Sequence, residues 1–288
     1  MKNILLSDFL AKYIKETIIS NNITNYSKED ILRVVAFTLK QNKNSIYTNL
    51  NSTYIDETVA FDIKSNLDKL YINNIPLQYI LGIQPFYNEE YIVNENVLIP
   101  RSDTEILVET AIEYIYRYNL KSMLDLCSGS GCIGISTLNN SSIESCVFVD
   151  ISKDALNVTN QNIIHNKVSK KVLTINSNLF ENVNDKFDLI LSNPPYIPTK
   201  EIASLNNDVQ NEPHLALDGG EDGLDIYRRI LNEASKYLND GGYLILEIGY
   251  NQLDDLIELI KNSDLDFIES LKDLGNNDRV VVCHFHQK

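Results

Sequence analysis

Two short stretches of the chain combine residue types that do more than fill a core. The first, Met123-Leu124-Asp125-Leu126-Cys127-Ser128-Gly129-Ser130-Gly131-Cys132-Ile133-Gly134, carries a G-x-G-x-x-G spacing directly after an apolar run. Glycines placed there let the backbone approach a ligand closely, and free N–H groups at the start of the following helix can hold an anionic group. Asp150 closes the next apolar run, about 20 residues further on, where a carboxylate can bind both ribose hydroxyls of a nucleoside. These two features suit a dinucleotide oxidoreductase and an S-adenosylmethionine enzyme almost equally. Asp125 separates them, because a carboxylate inside the glycine-loop strand attracts the cationic amino group of a methionine moiety and repels a pyrophosphate.

The second stretch is Asn193-Pro194-Pro195-Tyr196, which follows the apolar run 187–192. Open parallel sheets bind ligands at the carboxyl ends of their strands. Two successive prolines remove two backbone donors and fix two φ angles, leaving a stiff loop that offers carbonyl acceptors and no competing N–H. Such a loop suits an NH2 group. The Asn193 side-chain oxygen and the Pro194 carbonyl can each accept one hydrogen of a planar amide or amine, with Tyr196 expected against its flat face. An amide nitrogen is a poor nucleophile because its lone pair is shared with the carbonyl. A site that alkylates it must therefore orient both N–H bonds and point the nitrogen at an electrophilic carbon, and must favour the positive charge that develops there. Neither a metal nor a nucleophilic side chain is needed.

The elements that must position these stretches are readable in outline. Up to about residue 82 the apolar spacing is helical: Phe9, Leu10, Tyr13, Ile14 and Ile18 behind a Ser7/Asp8 cap; Ile31, Leu32, Val34, Val35 and Leu39 behind Ser27; and a stripe over 54–72. Residues 83–100 read as a hairpin linker with strands at 86–87 and 91–93. From 101 onward helices and strands alternate. A helix over 102–118 is expected behind a Ser102-x-x-Glu105 capping box. Seven apolar runs follow, at 123–127, 146–150, 172–175, 187–192, 243–248, 266–271 and 280–285. The expected fold is α/β, a doubly wound, mostly parallel seven-stranded sheet of Rossmann-like type with an antiparallel finish, preceded by a small all-α domain.

Composition narrows the possibilities further. The 288 residues carry 25 Lys and Arg against 40 Asp and Glu, a net charge of -15, so the average surface repels phosphate backbones and stable nucleic-acid binding is not expected. Cys127, Cys132, Cys146 and Cys283 form no C-x-x-C pair and no metal-ligand rhythm with a histidine, so no metal site is expected and the thiols suit a reducing compartment. His165, His214, His284 and His286 are scattered and read as surface or strand-end residues. No signal-peptide core and no apolar stretch of membrane-spanning length is present, which points to the cytoplasm.

At this level the chain resembles the class I S-adenosylmethionine-dependent methyltransferases over its C-terminal two-thirds. N-P-P-Y is the motif of those members that methylate planar nitrogens, adenine-N6 enzymes included. Over its whole length it is similar to a narrower family, the release-factor glutamine N5-methyltransferases. Matching stretches include Pro76-Leu77-Gln78-Tyr79-Ile80-Leu81-Gly82, Leu98-Ile99-Pro100-Arg101-Ser102-Asp103-Thr104-Glu105, Glu212-Pro213, Leu217-Asp218-Gly219-Gly220-Glu221-Asp222-Gly223-Leu224 and Asp273-Leu274-Gly275-Asn276-Asn277-Asp278-Arg279-Val280. The resemblance implies methyl transfer from S-adenosylmethionine to the Gln of the Gly-Gly-Gln loop of class 1 peptide chain release factors. An adenine-N6 or other nucleic-acid amino methyltransferase is the alternative, and a non-catalytic S-adenosylmethionine-binding adaptor a third reading. It also implies residue roles. The segment Cys127, Ser128, Gly129, Ser130 and Gly131 wraps the methionine end, whose amino group Asp125 is expected to meet on the charge argument above, Asp150 holds ribose, Asn178 and Leu179 lie beside adenine, and Asn193 touches cofactor and substrate. Asn193, Pro194 and Tyr196 are the expected catalytic residues. Pro195, Arg101 and Glu105 join them around the substrate, and residues 1–82 are expected to grip the protein partner, with 101–288 as the methyltransferase domain and a monomer as the working form. Three positions depart from the family: it usually has Gly where Cys127 stands, Pro where Ser102 stands and Asp where Asn178 stands. Asn178 keeps an acceptor but loses the charge. Cys127 is expected to hold a negative φ, as a strand-end residue can.

Overall fold

A computed structural model describes residues 3–287, in two compact units. The first unit runs to Gly82 and takes in Asn207–Asn211; the second comprises Ile83–Asn206 and the residues from Glu212 onward.

The first unit contains β1 (Ile4–Leu5), α1 (Leu6–Tyr13), which continues as a π-helical segment at Ile14–Ile19, α2 (Lys28–Leu39), α3 (Lys43–Asn49), β2 (Tyr54–Ile55), α4 (Glu57–Tyr71) and α5 (Leu77–Leu81). Helix starts follow side-chain chemistry: Ser27 Oγ accepts from Asp30 N at 3.3 Å, and Asp56 Oδ1 accepts from Val59 N at 2.9 Å. Leu6, Val34, Val35, Ile46, Ile63 and Leu67 form its core. Three expectations change. The unit is not purely helical, because β1 and β2 pair antiparallel, and the third stripe begins at Asp56, since Tyr54 and Ile55 are committed to that pair. The helix expected to start at a Ser7/Asp8 cap starts at Leu6 without a side-chain cap.

The second unit opens with the hairpin β3 (Ile83–Phe86) and β4 (Glu89–Ile92), then a 3-10 turn (Ser102–Thr104), α6 (Glu105–Tyr118), β5 (Ser122–Leu126), α7 (Cys132–Asn140), β6 (Ser145–Asp150), α8 (Lys153–His165), β7 (Lys171–Asn176) and β8 (Phe187–Ser192). After α9 (Thr199–Ile202) the chain gives α10 (Asn207–Gln210) to the first unit. It then completes the second with α11 (Asp225–Tyr237), β9 (Leu238–Glu247), α12 (Leu253–Lys261), β10 (Asp266–Lys272) and β11 (Asp278–His284). The hairpin expected as a linker is part of this unit's core: Tyr91 is fully buried among Leu107, Ile133 and Phe148, and its hydroxyl meets Ser136 Oγ at 2.7 Å.

The seven strands run in the order β10-β11-β9-β8-β5-β6-β7, with only β11 antiparallel to its neighbours. Successive side chains of each strand face opposite layers, and both layers are covered. Met123, Leu189, Leu191 and Ile245 pack on the face of α6 and α7, whereas Leu124, Leu126, Ile190 and Leu246 pack on the face of α11 and α12. That double burial is why these strands read as continuous apolar runs. The strand order reverses at β5, which has β6 on one side and β8 on the other, so a crevice opens at the carboxyl ends of these strands. Both chemistry-bearing stretches leave the sheet there. No helix among the described residues is long and apolar enough to cross a membrane.

Candidate active site

The loop after β5 is shaped by backbone conformation. Gly129, Gly131 and also Cys127 have positive φ, at 53°, 79° and 62°. The negative φ expected of Cys127 is therefore wrong: the chain turns off the strand end one residue sooner than a strand pattern shows. A non-glycine residue in this region carries a steric cost of order 1–2 kcal/mol, which is the physical sense of a glycine at this position. At Gly131 a Cβ would lie 2.8 Å from Thr159 Cγ2, so this glycine is required both for its φ and for its closeness to α8. Ser128 N bonds Val149 O at 2.9 Å and Gly131 N bonds Ser128 O at 2.7 Å, which ties the loop to β6.

Asp150 binds this loop from the end of β6. Its Oδ2 accepts from Gly129 N at 2.8 Å and its Oδ1 from Ser152 N at 2.9 Å, while burial raises its pKa against the pull of those bonds. Each oxygen retains a lone pair for a further donor. Asp125 is placed differently. It is fully buried on the α7 side of the sheet, Oδ2 accepts from Gly134 N at 2.9 Å, and Oδ1 has no partner. Burial pushes its pKa up to about 7, and the nearby Asp150 adds to the rise. It lies outside the cavity lining and supports α7 from behind the loop rather than facing a methionine amino group.

A cavity of about 380 Å³ lies over the loop. Cys127, Ser128, Gly129 and Ser130 line one wall and Asp150, Asn178 and Leu179 another, with Asn193, Pro195 and Arg101 also on its surface. Gly131, Pro194, Tyr196 and Glu105 do not reach it. Residues that sequence reasoning missed are there as well: Thr104, Cys132, Ser177, His214 and Arg229. Arg229 lies on the exposed side of an ordinary amphipathic helix pattern, so nothing in the sequence marks it. In the structure its Nη2 donates to Asn178 Oδ1 at 2.8 Å, while Asn178 Nδ2 donates to Glu181 Oε1 at 2.8 Å. The Asn178 acceptor is thus already shared with a guanidinium.

The second loop leaves β8 beside β5, and Ser192 Oγ donates to Leu126 O at 2.7 Å, which fixes the two loops to one another. Beyond it, Ile197 N bonds Leu217 O at 3.0 Å and Gly219 N bonds Ile197 O at 2.9 Å, so the Gly-rich segment after His214 clasps the prolines from outside. A Cβ on Gly219 would come within 2.7 Å of Tyr196 Cα. Gln252, itself buried, donates Nε2 to Tyr196 O at 3.0 Å and accepts from Gly249 N at 2.9 Å. Tyr196 does not stand over the cavity as expected. Its hydroxyl turns to Glu247 Oε1 at 3.4 Å, and burial, followed by the Glu247 charge, raises its pKa. Pro194 is buried, and its carbonyl accepts no hydrogen bond among the described residues.

Glu105 also departs from expectation. It neither caps its helix nor reaches the cavity, because its Oε1 accepts from Tyr87 N at 2.8 Å, at a hairpin turn where Tyr87 has a φ of 55°. Arg101 is held at the cavity by Glu212, whose Oε2 also accepts from Ile99 N at 2.9 Å. No metal-binding cluster exists among the described residues.

These residues fit a nucleoside-type methyl donor. Ser128 Oγ is buried with no protein partner at the cavity wall, Gly129 leaves open space where a Cβ would stand, and Asp150 offers spare acceptors. The volume suits a small cofactor.

The methyltransferase small domain family matches residues 102–208. The release factor glutamine methyltransferase of Fusobacterium nucleatum subsp. nucleatum is 37% identical over 95% of this chain and 76% of its own length. That of Clostridium acetobutylicum is 37% identical over 88% of this chain and 90% of its own. Among solved structures, a ribosomal protein L11 methylase from Lactobacillus delbrueckii subsp. bulgaricus superposes with a TM-score of 0.51 at 17% identity, covering 71% of this chain and 90% of that one, a likeness that speaks to the fold alone.

Proposed function

The chain belongs to the release factor glutamine methyltransferase family, and on that premise we propose that it methylates the side-chain amide nitrogen of the glutamine in the Gly-Gly-Gln loop of class 1 peptide chain release factors, using S-adenosylmethionine. The single observation that carries the reading is the juxtaposition of the glycine loop and Asn193-Pro194-Pro195-Tyr196 on adjacent strands, with Asn193 and the glycine loop on one cavity.

In this reading Ser128, Gly129, Asp150 and Leu179 hold the cofactor, with Asn178 and Arg229 at the same wall. S-adenosylmethionine, when bound, supplies an electrophilic methyl carbon whose sulfur keeps the electron pair of the broken bond. The protein's own part is positioning. Asn193 Oδ1, on the cavity surface, accepts an N–H of the substrate amide, which turns its nitrogen lone pair toward the methyl carbon and favours the positive charge that develops on nitrogen; the Pro194 carbonyl, set back from that surface and without a partner among the described residues, is the acceptor left for the second N–H. Orientation of this kind can supply roughly 7–11 kcal/mol of a barrier. One proton then leaves the nitrogen to water, and no side-chain base is required. Residues 1–82 hold the protein substrate. The acidic surface, at a net charge of -15, supports a protein partner over a nucleic acid, and the reading carries with it a monomeric enzyme of the cytoplasm.

The test is mass spectrometry of release-factor peptides after incubation with S-adenosylmethionine. Wild type adds one methyl to the glutamine of the acceptor loop, and Asn193→Ala is slower by roughly 10²–10³, the usual cost of removing one group aimed at developing charge. Methylation of DNA or RNA adenine instead, or no methyl on that glutamine at saturating cofactor, would refute the proposal.

A further inference from the structure

Polar backbone groups taken out of water need partners, and those of the glycine loop can be accounted for one by one. Gly129 N goes to Asp150 Oδ2 at 2.8 Å, Gly131 N to Ser128 O at 2.7 Å, and Gly131 O accepts from Ile135 N at 2.9 Å. The carbonyls of Gly129 and Ser130 are taken by α8. Thr159 Oγ1 donates to Gly129 O at 2.8 Å, closer than the alternative within its own helix, Ala155 O at 3.2 Å. Asn162 Nδ2 donates to Ser130 O at 2.9 Å. One group is left over: the Ser130 N–H has no partner among the described residues, and Ser130 lines the cavity.

Thr159 and Asn162 are fully buried and stand three residues apart, on one face of α8. The orientation of the Asn162 amide is forced from its far side. Its Oδ1 accepts from Ile92 N at 2.6 Å and its Nδ2 donates to Ile92 O at 2.9 Å, so the side chain is anchored on β4 and only its nitrogen can meet Ser130 O. A peptide unit is planar and trans, and its carbonyl and N–H point in opposite directions. Holding Gly129 O on α8 therefore turns the N–H of the same peptide, that of Ser130, away from α8. The tether matters because this peptide follows a glycine at a φ of 53°, where the backbone is freest to turn over.

We propose that Thr159 and Asn162 are positioning residues for the methyl donor: by drawing two successive carbonyls onto α8 they turn the Ser130 N–H to the cavity, as a hydrogen-bond donor for the carboxylate of S-adenosylmethionine. These roles rest on the proposed use of that cofactor, whose carboxylate is its one anionic group. Without the Thr159 hydroxyl, Gly129 O loses its partner on α8 and the peptide can reverse, bringing a carbonyl oxygen to the place of the N–H and repelling the carboxylate. Affinity then falls by the fraction of molecules in which the loop is reversed. The Asp150 carboxylate and the Ser128 hydroxyl lie outside that peptide, so a ligand without a carboxylate is spared the loss.

The experiment measures binding of S-adenosylhomocysteine, and of the same molecule lacking its carboxylate, by calorimetry to wild type, Thr159→Val, Thr159→Ser and Asn162→Asp, with melting temperatures alongside. Valine keeps the shape of threonine and deletes only the hydroxyl. Thr159→Val is expected to bind S-adenosylhomocysteine at least about fivefold more weakly, the low end of the cost of one unsatisfied buried group, and the decarboxylated ligand within about twofold of wild type. Thr159→Ser restores the hydroxyl and with it binding of both ligands to within about twofold. Asn162→Asp keeps the acceptor for Ile92 N but sets a second acceptor against Ser130 O, and follows the pattern of Thr159→Val; should it fail to fold, the Thr159 pair decides. Wild-type binding of S-adenosylhomocysteine by Thr159→Val, an equal loss for both ligands, or the same loss in Thr159→Ser overturns the inference and leaves the proposed function standing. A wild type that binds neither ligand and transfers no methyl to glutamine overturns both.

Discussion

Replacing Asp125 by Asn should flatten the dependence of stability on pH. The unfolded carboxyl ionises near 3.8, but in the folded chain burial defers ionisation to about pH 7. Between those values the folded state holds the extra proton, so stability is greatest below the window and is lost as pH rises through it. At about 1.4 kcal/mol per pH unit, the full window is worth roughly 4 kcal/mol, and the part between pH 5 and pH 8 roughly 3 kcal/mol. For a chain of this size that is on the order of 10 °C in melting temperature. The introduced carboxamide would keep the acceptor for Gly134 N but bring an NH2 to a place where Oδ1 of Asp125 has no partner, so the variant is set back at every pH by about 1–3 kcal/mol. The decisive quantity is therefore the slope and not the level. Glu247 is raised to about the same pH and contributes equally to both proteins, so it cancels in the difference. Urea unfolding of the ligand-free protein at pH 5, 6, 7 and 8 measures that difference directly. Parallel curves for wild type and Asp125→Asn would show that Asp125 ionises normally, and the account of its burial would fall.

Other consequences can be checked in the same preparation. Cys127→Val should cost about 1–3 kcal/mol in urea unfolding because the residue stands at a φ of 62°, while Cys127→Gly, which removes that strain but adds unfolded-chain entropy, should stay within about 1 kcal/mol of wild type. Gln252→Ala strands the Tyr196 oxygen and Gly249 N–H in the interior, at about 1–3 kcal/mol for each unsatisfied group, and should lower kcat more than it lowers S-adenosylhomocysteine affinity measured by calorimetry. Asp150→Ala removes the acceptor for Gly129 N and Ser152 N, and at about 1.5–3 kcal/mol for a hydrogen bond to a charged group it should weaken cofactor binding at least about tenfold in the same measurement.

The sheet was legible because burial on both faces writes continuous apolar runs, as at Phe187–Ser192. The longest strand was half hidden. Leu238–Glu247 begins in Asn239-Asp240-Gly241-Gly242, which reads as a turn, and its pairing with β8 slips between Phe187 and Leu189 near Gly241, whose φ is 78°. The site loops were visible from residue types whose chemistry is local: glycines at positive φ and two prolines. Side-chain direction was not visible where a distant partner decides it. Glu105 answers to Tyr87 N, Tyr196 to Glu247, Asn178 to Arg229, and Asp125 to Gly134 on the far side of its own strand.

The bond from Ser192 Oγ to Leu126 O, together with the parallel pairing of β5 and β8, leaves the donor-side and acceptor-side loops no freedom to part. Traffic in and out of the cavity then falls to its outer walls: the stretch from Glu95 to Arg101 and the clasp around His214, Leu215 and Asp218. Because the clasp also bonds Ile197 through Leu217 O and Gly219 N, substitutions there should change both how fast products depart and how well the acceptor loop is aligned.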